Sequence, residues 1–264
     1  MALGLPLPKK IGKTIKSNKK LLKIALKVYR PYLKIYLKLW TWWQYNRVQS
    51  AEIDPFRLLW VDPQEIEYYL DEFGQNYDRD YIRSRLKSGS WDKKNKKFDS
   101  KAVYRSIKMR FMEEKAWEET PRYQNALSAI KGDQDSYHYQ ASSKEELKDS
   151  MERIDELYHN IIKEGYKTRE EVKNPNNAVH SQRVDEYLPS VQEIVVSIGR
   201  DGDLLFEDGN HRLSIAKILE LDKIPVRVLV RHEKWQEKRN IAVENPEELP
   251  EDLKNHPDIE YLLK

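Results

Sequence analysis

EIVVSIGRDGDLLFEDGNHRLSIAKILELDKIPVRVLVR, residues 193–231, decides the fold. Ile194, Val195, Val196 and Ile198 are β-branched and apolar, and Arg200-Asp201-Gly202-Asp203 has the composition of a hairpin turn. Leu204-Leu205-Phe206 then returns as a second strand. Asp208-Gly209-Asn210 breaks it, and Asn210 or Asp208 is placed to cap a helix. That helix carries Leu213, Ala216 and Leu219 at helical spacing, with Ile215 and Ile218 widening the apolar face. Ile224 to Val230 is a further β-branched strand, and Pro225 restricts it to an edge or places the proline at the strand's first residues. Strand, helix and strand within about thirty residues form a crossover unit, which predicts a parallel pair.

The strand-to-helix turn gathers Glu207, Asp208, Gly209, Asn210, His211 and Arg212. A helix N-terminus directs free N–H groups and partial positive charge outward, which suits phosphate. Gly209 lets a ligand approach the backbone, His211 and Arg212 supply donors, and Glu207 or Asp208 could act as a base or a magnesium ligand. Residue types alone leave a plainer alternative open: Asp208 only caps, Arg212 only pairs with a carboxylate, and His211 is solvated.

DGNHRLSIAKILELDKIPVRV, residues 208–228, resembles the phosphate-binding turn and helix of the ParB/sulfiredoxin superfamily, in which a strand leads into a short glycine-containing box, a helix and an Ile-Pro-Val strand. ParB proteins follow the glycine with Glu-Arg-Arg, where this chain has Asn210, His211 and Arg212. Asn210 stands where sulfiredoxins place their catalytic cysteine. The box is more similar to the Asp-Gly-His-His-Arg of archaeal free-serine kinases. Upstream, RLLWVDPQEIEYY, residues 57–69, is similar to the opening strand and turn of the same fold. The resemblance implies a nucleotide (ATP, ADP or CTP) with Mg²⁺, its phosphates held by Gly209, Asn210, His211 and Arg212. It implies Asp208 as the metal ligand, with Glu207, Asp208, His211 or Glu65 as proton acceptors. His180 and Arg183 stand where ParB proteins carry a basic box and are secondary ligand candidates, with structural hydrogen bonding as their plainer role. Glu65 likewise has an ordinary reading as an acidic residue in a first helical turn.

Charge divides the chain unevenly. Residues 1–50 hold ten Lys and two Arg and no acidic residue, whereas the other 214 carry 35 basic and 44 acidic groups. The result is a basic arm on an acidic body. Lys16, Lys20, Lys23, Lys27, Arg30, Lys34 and Lys38 recur every three or four residues, so they line one side of a helix. Leucines, isoleucines, tyrosines and then Trp40, Trp42 and Trp43 fill the rest, with a kink expected at Pro31. No uncharged run approaches the roughly 20 residues that span a bilayer, and lysines interrupt any secretory leader. Three occupants remain for residues 9–47: an anionic membrane surface, nucleic acid, or the protein's own acidic body or a second subunit.

The apolar fraction is only 39% and the charged fraction 34%, so rings supply much of the apolar bulk: 16 Tyr and 7 Trp. Absence of cysteine excludes disulfides and thiol chemistry, including that of sulfiredoxins, and fits a cytoplasmic protein, with a peripheral place on the inner face of the membrane if the arm binds lipid. No zinc or EF-hand spacing appears among the 6 His.

Between the two matched pieces, residues 71–178 read as a mainly helical insertion. Asp62-Pro63 starts a helix running to Tyr69 or Leu70; Tyr77 to Ser90 and Ser100 to Ala116 follow as helices around a basic loop anchored by Trp91 and Phe98. Trp117-Glu118-Glu119 caps a helix at Tyr123 to Ile130, and Ser143 to Gly165 is a longer one. Residues 232–240 are helical, and 241–264 form an acidic, proline-broken tail. The expected organisation is an arm (1–50), a ParB/sulfiredoxin-like domain (51–240) with its insertion (71–178), and the tail (241–264). The fold class is α+β with a small mixed sheet. The expected function is a nucleotide-dependent, kinase-like phosphotransferase on a small or membrane-associated substrate. Two alternatives stand beside it: a ParB-like nucleic-acid-binding or nuclease protein, disfavoured by the acidic body and the lack of a helix-turn-helix signature, and a non-catalytic partner-binding module.

Overall fold

The strand that follows the central helix is the spine of the sheet. In the computed structural model, which describes residues 31–70, 83–93, 95–132, 141–172 and 193–264, that strand spans Ile224–His232 and is buried along its whole length. Numbered in chain order, the sheet comprises β1 (Leu58–Val61), β2 (Tyr68–Leu70), β3 (Arg85–Lys87), β4 (Asn95–Lys97), β5 (Ile194–Ile198), β6 (Leu204–Asp208) and β7 (Ile224–His232). Their order is β1-β7-β5-β6-β2-β4, with β3 also on β7. β1 pairs antiparallel with the first half of β7 and β3 parallel with its last residues, so the two share one edge of that strand. The sheet is therefore mixed and the class α+β.

The expected parallel pair exists, but its members are β5 and β7, with the β5–β6 hairpin folded back on the far side. Pro225 is the second residue of β7 and lies opposite Trp60 of β1. Of the two placements open to it, the strand's first residues hold and the sheet edge does not.

The helices are α1 (31–41), α2 (Ala102–Met112), α3 (Pro121–Lys131), α4 (Lys144–Glu164), α5 (Asn210–Ile218), α6 (Glu233–Glu244) and the short α7 (Glu251–Lys254) and α8 (Pro257–Glu260). Two cores meet at α5. Leu213 and Ala216 join Ile194, Val196, Leu204, Phe206, Val226 and Val228 on one face of the sheet. Ile215, from the same helix, joins the core of α2, α3 and α4 through Ile107, Ala126, Leu147 and Ile154. A nine-residue helix buried from both sides is held at fixed height and rotation, and so is its first turn.

Several expected elements differ. Pro63–Glu65 is a single 3-10 turn capped by Asp62, and Tyr68–Leu70 is a strand. Pairing with β6 on one side and β4 on the other outweighs local helix propensity there. The stretch from Tyr77 to Ser90, read as helical, contains β3 among its described residues. Its basic neighbour contributes β4, with Phe98 fully buried 4.8 Å from the Phe206 ring. Strands β3 and β4 thus fall inside the stretch read as a helical insertion. The helix at 144–164 agrees, with Ser143 as N-cap and Gly165 at its C-terminus at φ 75. The acidic tail is not free: Asp258 is buried and accepts from Arg231, at 2.6 and 2.8 Å, and from Trp235.

Residues 31–41 dock on the body through Leu33, Leu37 and Thr41, all buried, while Lys34 pairs with Glu170 and Lys38 with Asp54. The packed-arm alternative holds for this side of the helix. Residues 1–30 lie outside the described residues, and the expected kink at Pro31 falls at their edge. Among the described residues no helix is long and apolar enough to cross a membrane.

Candidate functional site

β6 extends through Asp208, so the break is confined to Gly209, and this glycine is the N-cap of α5. Neither Asn210 nor Asp208 caps. The Asp208 carboxylate accepts from the Gly209 N–H at 2.7 Å, and no side chain caps the first turn. Two constraints select glycine. Its φ of 98 lies in the left-handed region, and a Cβ would sit 3.0 Å from the Ile194 backbone. The chain passes close to β5, so a side chain here would be strained in its backbone and would press on Ile194.

Alternation along β6 separates the box residues. Leu204 and Phe206 enter the core beneath α5, which sends Glu207 to the opposite face. There it is buried and accepts from the Ser197 hydroxyl at 2.5 Å. Burial pushes its carboxyl up to about 7, against the lowering effect of the serine. Glu207 therefore belongs to the far face of the sheet and is not a ligand group at the first turn of α5. Asp208 is exposed at the turn itself.

Arg212 turns inward. Its guanidinium donates to Glu193 at 2.6 Å and to the Lys167 carbonyl at 2.6 Å, and lies 4.4 Å over the Tyr166 ring. Only 6% of it is exposed. Two of its N–H donors are held by the protein and little of it reaches solvent, so the plainer alternative, a structural ion pair, describes it. His211 faces the helical layer near Arg122; burial, then the Arg122 charge, depresses its imidazole to about 3, so it is neutral at pH 7. Glu65 sits beside Lys223 near the other end of α5, where Lys217 donates to the carbonyls of Pro63, Gln64 and Ile66. Glu65 and the Asp208–Arg212 turn do not meet. His180 and Arg183 lie outside the described residues.

Sequence reasoning missed the loop that follows α4. Tyr166 and Arg169 arrive beside Arg212, and both oxygens of the Glu193 carboxylate are used: one by Arg212, the other by the Arg169 backbone N–H. Burial, and then repulsion from Arg212, hold the Arg169 guanidinium below the usual arginine range, while Glu193 and Asp208 attract it. The signal available was a Gly165 helix stop followed by a basic residue; nothing local says that this loop closes on a turn some forty residues later.

Buried polar atoms without hydrogen-bond partners occur in several parts of the described structure, and some of them lie at this turn and its neighbouring loop. Arg169 Nε, Asn210 Oδ1 and His211 Nε2 are buried without hydrogen-bond partners among the described residues. Such groups are rare in native proteins, and each costs roughly 1–3 kcal/mol. Asn210 and His211 belong to the uncapped first turn of α5, and Arg169 to the loop whose backbone is bonded to Glu193 beside it. Among the described residues no three His, Asp or Glu side chains form a metal-holding group. Asp208 offers a single carboxylate, which suits Mg²⁺ only where phosphate oxygens and water complete the shell.

Comparison of the chain with protein-family models, curated proteins and solved structures returned no match.

Proposed function

We propose that the first turn of α5 binds a phosphate-bearing ligand, with the backbone N–H groups of Asn210, His211 and Arg212 and the Arg169 guanidinium as donors. The observation that carries this reading is the group of buried, unpartnered polar atoms beside an uncapped helix N-terminus. Arg212 is a positioning residue on this reading: through Glu193 it holds the loop that presents Arg169. His211, being neutral, could accept or donate one hydrogen bond without adding charge.

The resemblance of DGNHR to free-serine kinases supports a nucleotide as the ligand and phosphoryl transfer as the reaction, in which Asp208 would hold Mg²⁺ and the ion would neutralise phosphate charge. In such a reaction the protein's work is positioning and charge neutralisation, which backbone donors and a buried guanidinium provide. Glu207, on the far face of the sheet, and Glu65, near the other end of α5, are set aside as proton acceptors.

The test is a thermal-shift series with ATP, ADP, CTP and GTP, each with Mg²⁺. Ligand at a hundred times Kd adds about 2.7 kcal/mol of stability, a readily measured rise in Tm. A rise confined to one base and lost with its nucleoside supports nucleotide binding through phosphate. No rise with any nucleotide or with inorganic phosphate overturns the reading and favours a non-catalytic binding module.

A further inference from the structure

The docked helix α1 has a second apolar side. Leu33, Leu37 and Thr41 face the body, whereas Ile35, Leu39, Trp42 and Trp43 are 59%, 62%, 53% and 61% exposed. These four stand at i, i+4, i+7 and i+8, one stripe along a helical surface and opposite the buried set. A π turn at Trp42–Asn46 continues the helix, so both tryptophans stay on the stripe's end, and Arg47 lies 4.5 Å over the Trp43 ring. Val48, next along, is 71% exposed. Isolated exposed apolar residues are ordinary; an aligned stripe ending in two tryptophans is a binding surface.

Charge selects the occupant. Residues 1–50 carry twelve basic and no acidic side chains, on a body with an excess of acidic ones. A second copy laid along the same stripe would set Lys34, Lys38 and Arg47 of one copy against those of the other. Nucleic acid would use the cations and leave the apolar stripe idle, whereas Lys34 and Lys38, 42% and 59% exposed, stand beside a stripe that offers carbon. Leucine, isoleucine and indole rings on a helix flanked by cations match the headgroup zone of an anionic bilayer, with the tryptophans at the interface. We infer that the exposed side of α1, centred on Ile35, Leu39, Trp42 and Trp43, docks the protein on an anionic lipid surface, lying in its plane and not crossing it. This inference stands apart from the phosphate reading. The two are nonetheless close in space, because Lys34 pairs with Glu170, the neighbour of Arg169.

The experiment is co-sedimentation of the full chain with vesicles of phosphatidylcholine alone or with about 30 mol% phosphatidylserine, each at low and high salt. Wild type should bind the anionic vesicles roughly tenfold more strongly than the neutral ones, and salt should weaken that preference. Leu39→Glu and the Trp42→Ser/Trp43→Ser pair should each lose most of the binding while keeping the wild-type Tm, because the replaced side chains are exposed. The inference is overturned if wild type ignores anionic vesicles, or if both variants still bind them. It is overturned equally if the wild type is a dimer in solution that Leu39→Glu dissociates, which would assign the stripe to a second copy.

Discussion

Arg212 and Glu193 form a buried ion pair, 2.6 Å from guanidinium nitrogen to carboxylate oxygen, that fastens the first turn of α5 to the start of β5 and to the loop after α4. The arginine that residue type alone would assign to a phosphate is thus the anchor of the turn. Arg169, on the anchored loop, is the cation whose side chain is not spent in this way.

Removing one partner of a buried pair leaves the other charge uncompensated. Arg212→Ala should therefore destabilise the fold by about 3–5 kcal/mol, read by chemical denaturation. A change under about 1 kcal/mol would show that Glu193 finds another partner and that the pair does not hold the turn.

Glu207 sets a pH dependence. Its carboxyl is raised by burial from 4.5 to about 7, so its contribution to stability is complete below about pH 4.5 and is lost as pH rises through about 7. Between about pH 5 and 9 this group should cost wild type roughly 2–3 kcal/mol, and Glu207→Gln should flatten that part of the profile. An unchanged profile in the variant would remove Glu207 as its source.

Gly209→Ala tests the turn geometry. The substitution forces a Cβ against Ile194 at a φ of 98, which predicts about 1–3 kcal/mol of destabilisation. A neutral result would mean that β5 and the turn have room between them for a side chain.

Asp258 ties the C-terminal segment to the sheet. Burial alone would raise its carboxyl, but Arg231 and Arg239 hold it down at about 2. Asp258→Ala should cost about 3–5 kcal/mol, and a chain truncated before residue 257 should be destabilised comparably. Wild-type stability in either protein would return residues 241–264 to the status of a free tail.

Sequence patterning revealed the β5–β6–α5–β7 unit because its signals are local: β-branched runs, a Gly-containing turn and a short apolar helix. It misassigned Tyr68–Leu70 and Arg85–Lys87, short strands whose identity comes from pairing with β6 and β7. It located the candidate turn but not its chemistry. Residue type cannot say which way Arg212 points; that follows from Glu193 and the Lys167 carbonyl, the latter brought in from 45 residues away. Glu207 follows from strand alternation, readable once Phe206 is known to face the core. Arg169 follows a legible helix stop at Gly165, but nothing local says where its loop closes.

The central claim rests on Arg169, so the direct measurement is calorimetric titration of wild type and Arg169→Gln with the nucleotide that gives the largest thermal shift. Loss of a charge-assisted donor predicts affinity weakened by about 2 kcal/mol or more, roughly thirtyfold. The Tm of the unliganded variant should equal or exceed that of wild type, because Arg212 is relieved of a neighbouring like charge. Equal affinity in the two proteins would contradict the account and remove the first turn of α5 as the phosphate site.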